Sequence, residues 1–412
     1  MEELERQRTG SDIDRRSIPH ESLSRLFLRF LRFGALAWGG PVAQIAMLRQ
    51  SLVDEERWLT SAHFNRVLAL YQVLPGPEAH EMCVYFGMLA RGRVGGLLAG
   101  LGFMLPGFVL MFALSWLYVS LGFDVHGELA VLFAAIQAAV VALIVRAVHR
   151  IGSHVLLDTW LWVIAVFATL GQLAGVHFGL LLAGGGAAYS LARRAPVVAG
   201  ALLFVASIAT TVWFAARPGG TSLAPQGTRE LAIGAASLAT LFWAGLKTGC
   251  LTFGGAYTAI PLLQRDAVTV GAWMSNAQFM DGIALGGLLP APLIIFATFV
   301  GYVGAGPWGA LVMTFATFLP AFVITLLAHD PLERIIHAPR IRMFLDGVTA
   351  AVVGLIAGTA VSLLAATVRG MLTALVFGGA LALLFVWKSK LAIPAVIAAA
   401  ALVGIAVMTF GA

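Results

Sequence analysis

The chain has 412 residues, of which 60% are hydrophobic and only 11% are charged. Soluble domains average about a quarter charged residues, so this composition indicates a membrane protein and excludes soluble enzymes and disulfide-rich secreted domains. The net charge of +6 does not indicate a nucleic-acid partner, because the basic residues lie singly or in pairs between apolar runs, as membrane topology signals do.

Apolar segments long enough to cross a bilayer, about 20 residues each, follow one another along the chain. We predict an all-α polytopic membrane protein with about 13 transmembrane helices. The predicted segments are 26–48, 66–90, 94–121, 128–148, 155–173, 176–192, 197–216, 232–263, 279–303, 307–328, 345–366, 370–387 and 391–411.

The orientation of these segments is predicted from arginine and lysine, which favour the cytoplasmic side. With the amino terminus inside, the loops that carry Arg91, Arg146 with Arg150, and Arg193 all fall inside. Loop 49–65 is the exception, because it carries two arginines but falls outside. Either this loop tolerates the charge or the first apolar segment does not cross fully.

The second half of the chain repeats the first at an offset of about 215 residues. Gly34, Gly39, Gly40, Trp58, Phe64, Pro75 and Pro77 match Gly249, Gly254, Gly255, Trp273, Phe279, Pro290 and Pro292. Six spans per copy with one span between them place the copies in opposite orientations, so we predict inverted repeats, a common construction of secondary transporters. The predicted parts are a cytoplasmic segment 1–25, a first repeat 26–196, an extra span and linker 197–231, and a second repeat 232–412.

Glycine and proline interrupt two apolar helices in each copy. The breaks are Gly39-Gly40-Pro41 and Pro75-Gly76-Pro77 in the first copy, and Gly254-Gly255 and Pro290-Ala291-Pro292 in the second. Broken backbone is tolerated in hydrocarbon only where protein or a water-filled cavity satisfies it, and the helix that starts after a break carries partial positive charge. We therefore predict an anion site formed by these residues near the midplane. Simple kinks with close helix packing are the alternative.

Two cations occupy equivalent positions in the copies, since Arg32 and Lys247 each lie seven residues before a Gly-Gly pair. An intramembrane cation is a candidate for function, so both are predicted to bind the anion, although Arg32 alternatively reaches the interface. Glu78 is interpreted either as a proton-carrying or gating acid or as a cap of its own helix. Gln44 and Tyr257 are predicted to donate hydrogen bonds to a bound oxyanion.

Enzyme motifs are missing from the sequence. His80-Glu81 begins a run that resembles a zinc-protease helix, but the second histidine position is Val84. We predict no catalytic residue, no metal, no cofactor and no nucleic-acid partner, only a small oxyanion and the lipid bilayer. A membrane enzyme is disfavoured accordingly. Asp281 is interpreted as an interfacial cap or salt-bridge partner, and the glycine-rich helix faces leave a homodimer open.

Five short motifs are Trp38-Gly-Gly-Pro-Val-Ala-Gln44, Leu74-Pro-Gly-Pro-Glu-Ala79, Leu251-Thr-Phe-Gly-Gly255, Pro261-Leu-Leu-Gln-Arg265 and Thr298-Phe-Val-Gly-Tyr302. Together they resemble the chromate ion transporter family in its two-domain, long-chain form, and the resemblance runs from about residue 26 to the end. It implies a multi-pass protein of the bacterial plasma membrane that exports chromate and confers resistance to it, with sulfate as the competing analogue.

Three residues depart from the family pattern. Trp38 stands where phenylalanine is common, Gln44 where histidine is common, and Ala291 where the second Pro-Gly-Pro would have glycine. The alanine makes close backbone approach in the second copy a weaker expectation. The departures bear on substrate rather than fold, so a transporter of sulfate or another oxyanion and an anion channel are the alternative functions.

Overall fold

The chain is described here by a computed structural model that covers residues 18, 21–38, 40–121, 130–176, 178–192, 235–252, 256–336, 339–387, 389 and 391–410. Most of the predicted cytoplasmic segment lies outside the described residues, and so does the whole of the predicted extra span and linker at 197–231. Gly39, Gly254 and Gly255 of the predicted breaks lie outside them as well.

All regular secondary structure in these residues is helical. The first half contains α1 (Leu23–Ala35), α2 (Gly40–Leu48), α3 (Ser61–Val73), α4 (Glu78–Ser120), α5 (Ala130–Val155), α6 (Thr159–Leu173) and α7 (Phe178–Ala192). The second half contains α8 (Leu238–Leu251), α9 (Ala259–Gln264), α10 (Asn276–Leu288), α11 (Phe296–Ile336), α12 (Pro339–Thr367), α13 (Met371–Val386) and α14 (Ala392–Phe410). Short π-helical turns follow at Arg49–Glu55 and Arg265–Val270, and 3₁₀ turns lie at Ala256–Thr258 and Leu293–Ile295.

Five stretches of these helices are long and apolar enough to cross a membrane, and α6, α7, α8 and α13 are shorter apolar helices. The five are Glu78–Ser120, Ala130–Val155, Leu293–Leu327, Met343–Thr367 and Ala392–Thr409. The predicted segment 26–48 is not a single span, because α1 ends at Ala35 and α2 begins at Gly40. Each piece is much shorter than the roughly 20 residues that a crossing helix needs.

Helix α4 is a hairpin with limbs at 78–90 and 93–120. Its backbone leaves the helical region at Arg91 and at Gly92, where φ is 60°, a left-handed conformation that glycine adopts without a Cβ penalty. Beyond the turn the limbs pack closely: a carbon added at Gly87 would lie 2.4 Å from the carbonyl oxygen of Gly95. In a continuous helix these two residues would be about 12 Å apart.

The two halves have the same order of elements, so α1–α7 correspond to α8–α14. Non-glycine residues in the left-handed region cost about 1–2 kcal/mol, and one occurs at the same place in each half. The paired features are the helix-capping Ser22 and Ser237, Thr60 and Ser275, the left-handed Arg57 (φ 57°) and Ala272 (φ 51°), and the hairpin glycines Gly92 (φ 60°) and Gly306 (φ 61°).

The halves interlock rather than sit side by side. Helix α5 packs against α13 and α14 of the second half, α12 packs against α6 and α7 of the first, and the hairpins α4 and α11 pack against each other. The breaks that precede the hairpins are therefore held between the two halves.

Two predicted loops are largely helical. Helix α5 continues to Val155, so Arg150 lies inside a helix and not in a loop after residue 148. Helix α11 continues to Ile336 and α12 begins at Pro339, within the predicted loop 329–344. Helical hydrogen bonds satisfy the backbone of polar residues as well as of apolar ones, so a helix continues past the end of its apolar stretch.

Candidate functional site

The predicted breaks interrupt helices where proline and glycine stand. Helix α3 ends before Pro75, and Pro77 caps α4 in extended conformation. In the second half α10 ends before Pro290, and Pro292 precedes a 3₁₀ turn. Pro75 is half-buried and the other three prolines are buried, so protein surrounds the interrupted backbone.

The first break of the first half lies between α1 and α2. Gly40 takes φ of 77°, and Pro41 follows in the first turn of α2, a position where the missing N–H of proline costs nothing. The buried Gln44 provides a hydrogen-bond donor to the backbone at this break. Its Nε2 donates a hydrogen bond of 2.9 Å to the Ala37 carbonyl oxygen. Its Oε1 is buried and has no hydrogen-bond partner among the described residues.

One break of each half meets the other directly. The backbone N–H of Gly76 donates a hydrogen bond of 2.8 Å to the carbonyl oxygen of Thr252, which ends α8. Gly76 has φ of 154°, a region that side chains other than glycine rarely adopt. Thr252 is fully buried, so the contact lies in the protein interior.

The equivalent pair, Ala291 and Ala37, is bonded differently. The N–H of Ala291 donates a hydrogen bond of 2.9 Å to the carbonyl oxygen of Leu289. The Ala37 carbonyl oxygen accepts a hydrogen bond from Gln44 Nε2. Residue 259, which corresponds to Gln44, is alanine and has no such donor. The breaks of the two halves are thus similar in sequence but not in their hydrogen bonds.

Ala291 does not prevent close approach in the second half. A carbon added at Gly107, in the long limb of α4, would lie 2.4 Å from the Ala291 Cβ. The opposing helix supplies a glycine at the point where it meets Ala291, so α4 packs closely against the second break.

The acids that follow the first proline pair are buried. Glu78 is 8% exposed, whereas His80 and Glu81 are fully buried. The His80 ring packs edge-on against two phenylalanines of α11, with centroids 5.1 and 4.6 Å away. Glu81 lies against the break, since a carbon added at Gly76 would be 2.7 Å from its Oε1. Neither carboxyl oxygen of Glu81 has a hydrogen-bond partner in the described ranges, and leaving a buried polar group unpaired is costly.

Lys247 and Arg32 are not brought together at the breaks. The Lys247 ammonium forms an ion pair with Asp266, in the π-helical turn after α9, and lies 5.4 Å from the centroid of the Phe178 ring. Arg32 is exposed in the last turn of α1. No local pattern indicates this ion pair, because Asp266 lies 19 residues beyond Lys247 and the Gly254-Gly255 break stands between them.

Two cations that were interpreted as topology signals of a loop lie within helix α5. Arg146 and Arg150 are half-buried and lie one turn apart on α5. The positive charge of Arg150 acts electrostatically on the Glu78 carboxyl and the Tyr257 hydroxyl, and that of Arg146 acts on Tyr257. Their four-residue spacing puts both side chains on one helix face. Arg150 falls in a loop in the sequence prediction because the predicted span ends at residue 148.

Asp281 is not an interfacial cap. It is 2% exposed, and its carboxylate accepts hydrogen bonds from Tyr118 at 2.8 Å and from Gln137 at 3.1 Å. Both donors belong to the first half, so Asp281 ties the halves together. In the described part of the chain, no group of three His, Cys, Asp or Glu residues is suited to hold a metal ion.

The model of a protein family described as chromate transporter matches residues 24–218 and 239–405. The chain belongs to the chromate transporter family. Two relatives are named chromate transport protein. The one from Pseudomonas aeruginosa is 52% identical over 390 residues, or 94% of this chain and 92% of its own. The one from Cupriavidus metallidurans is 32% identical over 406 residues, or 94% of each chain.

A protein of Methanocaldococcus jannaschii, named an uncharacterized transporter, is 28% identical to this chromate transporter family member over 345 residues, 81% of this chain and 83% of its own. No solved structure matches. The family predicted from the five motifs is confirmed, and it is a family of transporters rather than enzymes. With its long apolar helices, the chain is a multi-pass membrane protein.

Proposed function

We propose that this protein is a secondary transporter that exports chromate across the bacterial plasma membrane, with sulfate as a competing analogue. The observation that carries the proposal is the hydrogen bond between Gly76 and Thr252, because it joins a helix break of each half inside an apolar protein. Broken helices at the interface of repeats are where secondary transporters bind their substrates. The names of the bacterial relatives support chromate as the substrate.

The halves are proposed to be inverted repeats within about 13 spans, divided at 197–231. Their equal order of elements supports this arrangement. The hairpin turn of α4 carries Arg91 and Arg93, whereas the turn of α11 at 304–306 carries no charge. Positive charge favours the cytoplasmic side, so this difference is the one expected of equivalent turns on opposite sides of the membrane.

Export of chromate needs no ATP on energetic grounds. Moving one charge through 100 mV is worth about 2.3 kcal/mol, so a dianion that leaves an inside-negative cell at ~150 mV gains roughly 7 kcal/mol. The predicted anion site, with Arg32, Gly39, Gly40, Pro41, Gln44, Pro75, Gly76, Pro77, Glu78, Lys247, Gly254, Gly255, Pro290 and Pro292, remains a proposal, and its breaks at 74–77 and 252 are the parts held in contact.

Uptake of labelled chromate into everted membrane vesicles tests this function, since uptake there corresponds to export from the cell. An imposed potential, a pH gradient and excess sulfate are applied separately, with empty-vector vesicles as control. We expect saturable uptake that the potential drives and sulfate inhibits. Uptake equal to the control contradicts a chromate exporter, and uptake that does not saturate indicates an anion channel.

A further inference from the structure

Glu81 is an acid enclosed in the protein interior beside the joined breaks. Its side chain is fully buried, and neither carboxyl oxygen has a hydrogen-bond partner among the residues that the structure describes. A carbon built on Gly76 would lie 2.7 Å from Glu81 Oε1, 2.8 Å from its Cδ and 3.2 Å from its Oε2. The carboxyl group therefore lies against the glycine whose N–H joins the two halves at Thr252.

The helices that pack against α4 supply no counter-charge to this carboxyl in the described part of the chain. They are α1, α2, α3, α10 and α11. Helix α2 carries no Asp, Glu, Lys, Arg or His, and neither does α11 as far as residue 327. On α4 itself, the His80 ring packs against phenylalanines of α11, and Glu78 is another acid. The acidic and basic groups of α1, α3 and α10 are exposed at Arg25, Arg32 and Arg66, or bonded to other residues at Arg29, His63 and Asp281.

The surroundings of Glu81 decide its charge in this arrangement. An ionised carboxylate that is out of water and has neither donor nor cation is so costly that the group neutralises instead. Glu81 is therefore a protonated, uncharged acid while the two halves are closed around it. In contact with water the same side chain is ionised at neutral pH, so opening and closing of the breaks exchange a proton with the solvent.

The second half has apolar side chains at the equivalent place. The offset of 215 residues that aligns the proline pairs matches Glu81 with Phe296, and the offset of 214 that aligns the hairpins matches it with Ile295. Both are fully buried, so the fold accommodates an apolar residue at this point of the break. An ionisable residue inside a membrane protein that the architecture does not require indicates an ion or proton pathway.

Glu78 provides a route for protons to Glu81. The two acids are three residues apart on α4, so they lie on one helix face with their Cβ atoms about 5–6 Å apart. Glu78 is 8% exposed, whereas Glu81 is fully buried, and the positive charge of Arg150 acts on Glu78. The acids thus lead from a partly accessible position to an enclosed one, as in the proton relays of transporters.

We infer that Glu81 carries the coupling proton of this transporter, and that the halves close over the oxyanion only when Glu81 is protonated. This inference rests on the proposed function and names its coupling ion. An ionised Glu81 would be buried without a partner and would repel an anion at the Gly76 break, whereas the protonated acid does neither. The proton enters from water on the side of anion binding, passes through Glu78, and returns to water on the side of release. A dianion that leaves with one proton still carries negative charge outward, so the membrane potential still drives export.

Sulfate binding to the purified full-length protein across the neutral pH range tests the inference, with proton uptake followed by a pH indicator in weak buffer. Sulfate is the probe because its own charge, unlike that of chromate, stays constant there. We expect the wild type to take up protons on binding and to lose up to about tenfold in affinity per pH unit as the pH rises, because the ionised acid must first regain its proton. Glu81→Gln is expected to bind without proton uptake and with an affinity that does not depend on pH. Glu81→Asp is expected to keep the pH dependence, and Glu55→Gln, at an exposed acid, is the control that behaves like the wild type.

Each other outcome counts against the inference. Sulfate binding by the wild type without proton uptake overturns it, and so does an unchanged pH profile in Glu81→Gln. Loss of the pH dependence in Glu78→Gln alone would assign the coupling proton to Glu78 instead. Glu81→Met is a second neutral variant, and failure of both neutral variants to fold would show that the carboxyl holds the structure, which contradicts its lack of a partner. If the wild type binds neither sulfate nor chromate, the proposed function fails instead.

Discussion

The backbone N–H of Gly76 lies 2.8 Å from the carbonyl oxygen of Thr252, although the residues belong to different halves of the chain. The equivalent residues, Ala291 and Ala37, are each bonded within their own half. Two halves with the same order of helices are thus joined through only one of their two equivalent break contacts. Glu78 and Glu81 follow Gly76 along the chain, and the Glu81 carboxyl lies against Gly76.

Gly76→Ala is expected to disrupt the joined breaks. Gly76 has φ of 154°, and an added carbon would lie 2.7 Å from Glu81 Oε1, so we expect a destabilisation of about 1–3 kcal/mol and a large loss of chromate transport. Thermal unfolding and vesicle uptake are the measurements. Ala291→Gly, at the equivalent position, is the control, and a Gly76→Ala protein as stable and active as this control contradicts the prediction.

Gly107→Ala is expected to be harmful alone and tolerated in combination. The added methyl would lie 2.4 Å from the Ala291 Cβ, and overpacking of this kind costs about 1–3 kcal/mol. Ala291→Gly removes the opposing methyl, so the double variant is expected to recover most of the stability lost. Unfolding free energies of the two single variants and the double variant are compared, and additive losses would show that the two residues are not in contact.

The contributions of Lys247 and Asp266 to the stability of the fold are expected to be coupled. Their side chains are 33% and 14% exposed, between the cases of exposed and buried ion pairs, so Lys247→Met alone should cost about 1–3 kcal/mol. Adding Asp266→Asn to Lys247→Met is expected to lower the free energy of unfolding little further, because Lys247→Met already leaves the Asp266 carboxylate without its ion-pair partner. A double-mutant cycle on unfolding free energies measures this coupling. Zero coupling, with loss of oxyanion binding in Lys247→Met, would return Lys247 to the anion site.

Gln44 is expected to stabilise the first break through its hydrogen bond to the backbone of Ala37. Gln44→Met leaves the Ala37 carbonyl without its 2.9 Å hydrogen bond, and an unpaired buried acceptor costs about 1–3 kcal/mol. Gln44→His retains a ring N–H donor, and histidine is the residue that the family motif commonly has there. Retained uptake in Gln44→His with reduced uptake and stability in Gln44→Met is expected, and equal behaviour of the two variants argues against the capping role.

Local pattern was enough to predict the membrane class, the breaks and the repeat. Apolar length identifies segments that lie in hydrocarbon, and the prolines at 75, 77, 290 and 292 interrupt helices through their own missing N–H groups. The gap between the predicted segments 279–303 and 307–328 also coincides with the hairpin turn at Gly306. These features depend on a few neighbouring residues, so the order of the amino acids suffices to find them.

The partners of the polar side chains were decided only by tertiary structure. Asp266 neutralises Lys247, and Asp281 accepts hydrogen bonds from the other half. Inside an apolar protein each buried charge or carbonyl must be satisfied by whatever group the packing brings near it, and that group is often far away along the chain. The sequence by itself therefore determined where the helices break, whereas the interlocking of the halves decided that Gly76 bonds to Thr252 and that Asp281 accepts hydrogen bonds from Tyr118 and Gln137.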